Sequence, residues 1–261
     1  MKLKIGIFDS GIGGLTVLHQ AFLSLPNEEY LYFADVEHVP YGIKPKEEII
    51  RYVDEAVQFM ITKNVKAIVI ACNTATSVAI GYLRKKYSIP ILGMEPAVKP
   101  AVQRNNGKRV MVIATPVTIR EEKLKNLLAR VDENHMVDLL ALPKLVSFAE
   151  KDEFNTEELN RYLFDEFSEY NMEDYSALVL GCTHFNYFKD RFRRIFSENV
   201  DLIDGSTGTI NHLTEVLQDK NMLENNGLKA EYYLSGKKVE NESGLKRIKK
   251  LHDRLDEMLK Y

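Results

Sequence analysis

The chain has 261 residues, of which 45% are hydrophobic and 28% charged; this composition excludes disordered and fibrous proteins and fits one large globular domain or two small ones. Lys and Arg number 35 against 38 Asp and Glu, giving a net charge of −3, so we expect no nucleic-acid partner, since such proteins carry a basic excess. Two cysteines are too few for a disulfide scaffold, and no apolar stretch has membrane-spanning length. We therefore expect a cytoplasmic protein with reduced thiols and no membrane partner.

Short apolar segments recur along the chain at intervals too long for hairpins. Most are rich in Val, Ile and Leu without strict alternation, which is typical of strands buried on both faces; they are residues 3–8, 30–34, 65–72, 89–93, 110–114, 137–142, 177–181 and 202–203. Apolar residues recur at helical spacing in residues 15–25, 47–62, 76–87, 119–131, 157–170 and 186–196, and again from Leu245 onwards. This alternation predicts an α/β fold with parallel sheets covered by helices.

The last predicted helix has a mixed polar face. It carries Lys246, Arg247, Lys249 and Lys250, which could be a nucleic-acid patch. Acidic residues share the same helix, so we interpret the face as solvated instead.

Two segments of the sequence resemble each other. Residues 68–75 (IVIACNTA) and 178–185 (LVLGCTHF) each contain a buried strand that ends in a small residue, followed by a cysteine, polar residues and a helix. The two cysteines, Cys72 and Cys182, lie almost half a chain apart. This repetition predicts two similar α/β units, each presenting one thiol from the same structural position.

Ligands of open α/β sheets bind beside the carboxyl ends of the strands. The residues that follow the predicted strands are mostly polar, with few Lys or Arg, and they include both cysteines. We therefore expect the functional site at this edge. The residues at this edge are predicted to be Asp9, Ser10, Gly11, Gly13, Gly14, Asp35, Pro40, Tyr41, Gly42, Cys72, Asn73, Thr74, Glu95, Pro96, Thr115, Thr118, Cys182, Thr183, His184, Asp204, Gly205 and Ser206.

The glycine run after the first strand has two interpretations. A dinucleotide fingerprint that starts at Gly11 needs glycine where the chain has Thr16, and no phosphate-binding P-loop sequence occurs. One interpretation is a tight turn with close helix packing. The other is that backbone N–H groups and Ser10 hold a small carboxylate at the start of the helix.

The two cysteines also leave alternatives open. They could be small buried hydrophobes, or they could bind zinc with His184, although the usual C-x-x-C pairs are missing. A Cys–His nucleophile would use one cysteine and leave the other without a role. Two thiols on opposite faces of one carbon could remove a proton and donate another, which inverts a stereocentre. A pyridoxal enzyme would do this with a Schiff-base lysine, and we find no recognisable lysine motif in the sequence.

Six ordered segments carry a resemblance to a known family. They are GIFDSGIGGLTV at residues 6–17, YFAD at 32–35, PYG at 40–42, ACNTA at 71–75, GMEPA at 93–97 and GCTHF at 181–185. Together they resemble the bacterial glutamate racemases, which belong to the cofactor-independent aspartate/glutamate racemases. The match runs from residue 6 to about residue 206 and so covers most of the chain.

The resemblance implies a fold, an activity and a set of site residues. The fold is two similar parallel-sheet α/β domains, residues 1–96 plus 208–261 and residues 97–207, with the active site in the cleft between them. The activity is interconversion of L- and D-glutamate, without cofactor or metal, to supply D-glutamate for peptidoglycan and thus for the cell wall and cell shape. Cys72 would take the α-proton from D-glutamate with help from Asp9, and Cys182 from L-glutamate with help from His184.

The same resemblance assigns substrate contacts and one further acid. The contacts are Asp9, Ser10, Pro40, Tyr41, Gly42, Asn73, Thr74, Thr115, Thr118, Thr183 and His184. The acid is Glu150, although Ser147 stands where the family pattern has proline; a solvated carboxylate at a helix end is the alternative. We also expect a homodimer. A racemase for aspartate or another acidic amino acid, or a binding protein for such a ligand, remains an alternative function.

Overall fold

The structure, a computed structural model, describes residues 3–225 and 227–261. Within these residues, one sheet contains β1 (Lys4–Asp9), β2 (Glu29–Ala34), β3 (Val65–Ile70) and β4 (Ile91–Gly93), with β9 (Lys229–Leu234) and β10 (Lys237–Lys238) added at its edge. The strand order is β10-β9-β2-β1-β3-β4, and all neighbours are parallel except the β9–β10 hairpin. The sequence patterns predicted β1 to β4 and missed β9 and β10.

The second sheet repeats the topology of the first. It contains β5 (Arg109–Ala114), β6 (Val137–Ala141), β7 (Tyr175–Leu180) and β8 (Asp201–Asp204), all parallel and ordered β6-β5-β7-β8. The first four strands are ordered β2-β1-β3-β4 in the same way, and both central pairs have an irregularity after their first residue pair. The predicted α/β fold with two similar parallel-sheet units is confirmed.

Helices in the described part of the chain follow most of the strands. They are α1 (Leu15–Ser24), α2 (Lys46–Thr62), α3 (Asn73–Lys86), α4 (Val98–Gln103), α5 (Pro116–Arg120), α6 (Glu122–Val131), α7 (Pro143–Glu150), α8 (Glu157–Phe167), α9 (Lys189–Phe192), α10 (Ser206–Asp219) and α11 (Glu242–Met258). Short 3-10 turns occupy Ile12–Gly14, Tyr41–Ile43, Met172–Asp174 and Thr183–Phe188. The patterns did not predict α4, α7 or α10.

Two helix predictions differ from the structure. The helix expected over residues 119–131 begins earlier and breaks at Glu121, whose backbone is extended. The helix expected over 186–196 is instead the 3-10 turn Thr183–Phe188 followed by α9. The 3-10 turn is fully buried, so tertiary packing determines its conformation more than helix propensity does.

The hydrophobic core joins the two sheets. One continuous cluster of buried side chains contains Ile7 of β1, Met111 of β5, Leu178 of β7 and Leu213 of α10. The predicted domain boundaries, residues 1–96 plus 208–261 and residues 97–207, stay a prediction, and their residues 1, 2 and 226 lie outside the described residues. Among the helices described, none is long and apolar enough to cross a membrane.

Candidate active site

The predicted site residues gather where the strand order reverses in each sheet. In both sheets the chain moves outward from the first strand and then returns to its other side, so a crevice opens between β1 and β3 and between β5 and β7. Asp9 ends β1, and Cys72 directly precedes α3. Thr115 follows β5, and Cys182 directly precedes the 3-10 turn Thr183–Phe188. Equivalent positions of the two units therefore supply the two thiols.

A direct hydrogen bond joins the two halves of the site. The Thr183 hydroxyl, next to Cys182, donates to Oδ1 of Asp9 at 3.2 Å. On the other side, the Cys72 thiol donates to the Ser10 hydroxyl at 3.7 Å. Both cysteines are buried and unbridged. A short series of polar groups, Ser10, Asp9 and Thr183, therefore connects the surroundings of the two thiols.

The glycine turn after β1 allows this close approach. A Cβ on Gly11 would lie 1.8 Å from Oε1 of Glu150, and a Cβ on Gly13 would lie 2.4 Å from Nδ1 of His184. The N–H of Gly11 binds Asp9 at 3.2 Å, and the N–H of Ile12 binds Glu150 at 2.8 Å. These two N–H groups therefore hold carboxylates of the protein itself, and the glycines provide room for the side chains of Glu150 and His184.

Cys72 sits at the amino end of α3. Its sulfur accepts a hydrogen bond from the N–H of Ala75 at 3.4 Å, which makes it the N-cap of the helix. Burial raises the pKa of the Cys72 thiol well above its usual range, and the negative charge of Asp9 raises it further. In the resting protein this group is therefore a protonated thiol, ready to donate.

Asp9 is the fully buried acid beside this thiol. Burial raises the pKa of its carboxyl to about 6, although the charge of His184 and the N–H of Gly11 oppose the shift. A carboxyl with a pKa close to neutral can exchange a proton at physiological pH. Asp9 is thus suited to relay a proton to or from Cys72.

Cys182 faces a histidine–carboxylate pair. Its sulfur lies 3.8 Å from Nδ1 of His184, and Nε2 of His184 lies 2.6 Å from Oε1 of Glu150. Burial lowers the pKa of His184, but its hydrogen bonds to Cys182 and Glu150 outweigh that effect and raise the pKa well above the usual value. The imidazole is therefore positively charged at neutral pH, and it faces the Cys182 sulfur. The Glu150 side chain is 16% exposed and ends α7, the helix that also contains Ser147.

Three threonines form a hydroxyl cluster near the Cys72 half of the site. The side-chain oxygens of Thr74, Thr115 and Thr118 lie 2.9 to 3.2 Å from one another. The amide of Asn73 donates to the Met94 carbonyl at 3.3 Å, while its own oxygen is buried without a partner in the described residues. Such hydroxyls and a free amide oxygen can bind the polar groups of an amino acid.

The resemblance assigns substrate contacts to Pro40, Tyr41 and Gly42, and the structure buries the Tyr41 side chain. The Tyr41 ring is buried against Phe8, and its hydroxyl donates to Asp35 at 2.5 Å. Any contact of Tyr41 with a ligand must therefore come from its backbone. Pro40 and Gly42 line a cavity of about 140 Å³ together with Thr115.

Two residues support this site through contacts that the sequence did not predict. The carboxylate of Asp35 anchors Tyr41 and also accepts from Nδ1 of His38 at 2.8 Å. Arg247 of α11 donates to the Glu150 carbonyl at 2.6 Å, so the polar face of this helix is not simply solvated. No cluster of His, Cys, Asp and Glu side chains suited to a metal ion occurs among the described residues.

Comparisons with a family model, with curated proteins and with solved structures all match racemases. The family model for Asp/Glu/hydantoin racemases matches residues 17–213. The glutamate racemase of Lachnospira eligens is 53% identical, covering 98% of this chain and 99% of that protein, and that of Campylobacter curvus is 51% identical with the same coverage. The crystal structure of glutamate racemase isoform RacE1 from Bacillus anthracis superimposes with a TM-score of 0.83 at 29% identity, covering 95% of this chain and 93% of that chain.

Proposed function

The chain belongs to the family of Asp/Glu/hydantoin racemases, and on that premise we propose that it interconverts L- and D-glutamate with its two thiols as acid and base. The observation that carries this proposal is the pair of buried cysteines at equivalent positions of two similar units. Each cysteine has its own proton-transfer group, Asp9 for Cys72 and His184 for Cys182. A hydrolase with one nucleophilic thiol would not need a second thiol at the equivalent position.

In the L to D direction, the Cys182 thiolate takes the α-proton of L-glutamate. The electron pair of the broken C–H bond stays on the α-carbon and delocalises into the substrate carboxylate. The Cys72 thiol then donates its proton to the opposite face, and the new C–H bond gives D-glutamate. Cys182 is left as a thiol and Cys72 as a thiolate, which is the arrangement needed for the reverse direction.

The environment of each thiol suits its part in this cycle. The raised pKa of Cys72 keeps it protonated until the carbanion forms and makes its thiolate a strong base in the reverse direction. The charged imidazole of His184, held by Glu150, offsets the charge of a thiolate at Cys182. Thr74, Thr115, Thr118, Asn73 and the loop at Pro40, Tyr41 and Gly42 would bind the substrate.

The test of this proposal uses the variants Cys72→Ser and Cys182→Ser. A serine hydroxyl is a far weaker acid than a thiol and cannot serve as the base, so each variant should lose racemisation. Because serine has nearly the same size, both should keep the unfolding temperature of the unchanged protein within a few degrees. Undiminished racemisation in either folded variant would reject the two-thiol mechanism.

The wider role of the reaction follows from its product. We propose that the D-glutamate supplies peptidoglycan synthesis in the cytoplasm and that the enzyme works as a homodimer without added cofactor. Growth of a D-glutamate-requiring bacterium that expresses this chain would support the first point, and failure to grow despite activity in the extract would oppose it. Sedimentation of the purified protein measures the second, with a monomer as the contrary result.

A further inference from the structure

The C-terminal helix α11 reaches both elements that hold the His184–Glu150 pair. Glu150 ends α7, and His184 lies in the 3-10 turn Thr183–Phe188. The helix itself follows β9 and β10, which belong to the other sheet. Two of its arginines, seven residues apart and so on one face, each donate to a backbone carbonyl of one of these elements.

Arg247 holds the end of α7. Its Nη2 donates to the Glu150 carbonyl at 2.6 Å and to Asp152 at 3.1 Å, and its Nε donates to Asp152 at 3.2 Å. A guanidinium can make all of these hydrogen bonds at once because its donors are fixed in one plane. Arg247 therefore fixes the backbone that carries the Glu150 side chain.

Arg254 holds the turn that carries His184. Its Nη2 donates to the Tyr187 carbonyl at 2.9 Å and to Asp190 at 2.6 Å. The Tyr187 hydroxyl in turn donates to the Ile12 carbonyl at 3.1 Å, and the N–H of Ile12 binds Glu150. Arg254 and Arg247 therefore fix the two ends of one connected network around His184.

We propose that Arg247 and Arg254 are positioning residues mainly for the Cys182 half-reaction. Their hydrogen bonds go to the backbone of the two elements that carry Glu150 and His184, which serve Cys182, whereas the connection to the Cys72 half passes further, through Thr183 to Asp9. The inference rests on the proposed function, in which Cys182 handles the L-glutamate face. A displacement of about 1 Å in such a pair lowers rates by one to two orders of magnitude.

Rates alone cannot show which face is affected. The two enantiomers have equal free energies, so kcat/KM in the two directions must fall by the same factor in any variant. Isotope effects do distinguish the proton-transfer step at Cys182 from the step at Cys72. If the step at Cys182 becomes slower, the isotope effect on kcat/KM rises for α-deuterated L-glutamate, because that step breaks its C–D bond. It falls for α-deuterated D-glutamate, whose C–D bond breaks at Cys72.

The experiment uses Arg247→Met and Arg254→Met, which keep the aliphatic stem and remove the guanidinium. We expect kcat/KM to fall about tenfold in each, with the isotope effect rising for L-glutamate and falling for D-glutamate. Arg247→Lys should recover part of the loss, since one ammonium cannot reproduce the planar set of donors. Lys249→Met, which removes an exposed cation from the same helix, should change neither quantity.

Isotope effects are ratios for the folded enzyme, so partial unfolding of a variant does not alter them. A loss of activity with unchanged isotope effects in both arginine variants would overturn the inference. Glu150→Gln separates this from a failure of the proposed function, because it should shift both isotope effects in the same sense as the arginine variants. If the isotope effects of Glu150→Gln shift in the opposite sense, the assignment of Cys182 to L-glutamate is rejected. If the protein without any substitution has no glutamate racemase activity, both the proposed function and this inference are rejected.

Discussion

Replacing Gly11 by alanine tests whether the distance between the glycine turn and the Glu150–His184 pair limits catalysis. Gly11 has φ −159° and is not among the glycines with positive φ, so the main obstacle to alanine is the space around its Cβ. Its Cβ would lie 1.8 Å from Oε1 of Glu150. The carboxylate must retreat by about 1.6 Å to reach the 3.4 Å of ordinary contact. Such a movement disrupts its 2.6 Å hydrogen bond to His184.

A misplacement of about 1 Å in a catalytic group can lower a rate about 100-fold. We therefore expect kcat/KM of Gly11→Ala to fall by about two orders of magnitude in both directions. The free energy of unfolding should also fall, by roughly 2–5 kcal/mol, because the bond from the N–H of Ile12 to Glu150 and the buried charged hydrogen bond between Glu150 and His184 both weaken. A stereospecific assay of D-glutamate formation and thermal unfolding measure the two effects.

Gly81→Ala is the matched control. Gly81 lies inside α3 with nothing within 4 Å of an added Cβ, so alanine should stabilise the helix by up to about 1 kcal/mol and leave kcat/KM unchanged. If Gly11→Ala stays folded and racemises glutamate like the unchanged protein, the close approach of Glu150 has no catalytic importance and the reasoning fails.

Three further predictions concern stability. The pKa of the Asp9 carboxyl is about 6 in the folded protein and 3.8 in the unfolded chain. The free energy of unfolding should therefore fall by about 3 kcal/mol as pH rises from 3.8 to 6. Urea unfolding of Asp9→Asn should not show this fall, and a fall of the same size in that variant would contradict the prediction. His252, whose pKa burial lowers from 6.5 to about 4, should have the opposite effect: stability lost as pH falls from 6.5 to 4, by about 1–3 kcal/mol, and absent from His252→Phe. Lys66 and Glu28 form a buried ion pair at 2.6 Å. Lys66→Met leaves the Glu28 charge without this partner, so the free energy of unfolding should fall by about 3–5 kcal/mol while kcat/KM stays unchanged. A smaller loss would show that the charge is not truly buried.

The repeated segments around Cys72 and Cys182 made the fold and the centre of the site predictable. Buried parallel strands are continuous apolar runs, and each run here ends in a small residue and a cysteine, so the position of both thiols follows from the pattern. The carboxyl-end rule then gathers Asp9, Thr115 and His184 at the same place. Local sequence was sufficient because each of these residues directly follows a strand or lies within the next turn.

The missed elements depend on contacts distant in sequence. Strand β9 is mostly half exposed and pairs with β2 across almost two hundred residues of chain, so its own residues show no buried apolar run. The approach of Arg247 to Glu150 is likewise set by the docking of α11, which a polar helix face does not reveal. The hydrogen bond from the Tyr41 hydroxyl to Asp35, six residues earlier in the same connection, was not predicted either.

The most direct test of the account is the fate of deuterium during the first few per cent of turnover of L-glutamate in D₂O. Two thiols on opposite faces predict that the D-glutamate formed carries deuterium at the α-carbon while the recovered L-glutamate still carries protium. A single base serving both faces would return the original proton to the product or place deuterium in both enantiomers. Chiral separation followed by mass spectrometry distinguishes these results, and protium in the early D-glutamate or deuterium in the recovered L-glutamate would contradict the two-thiol account.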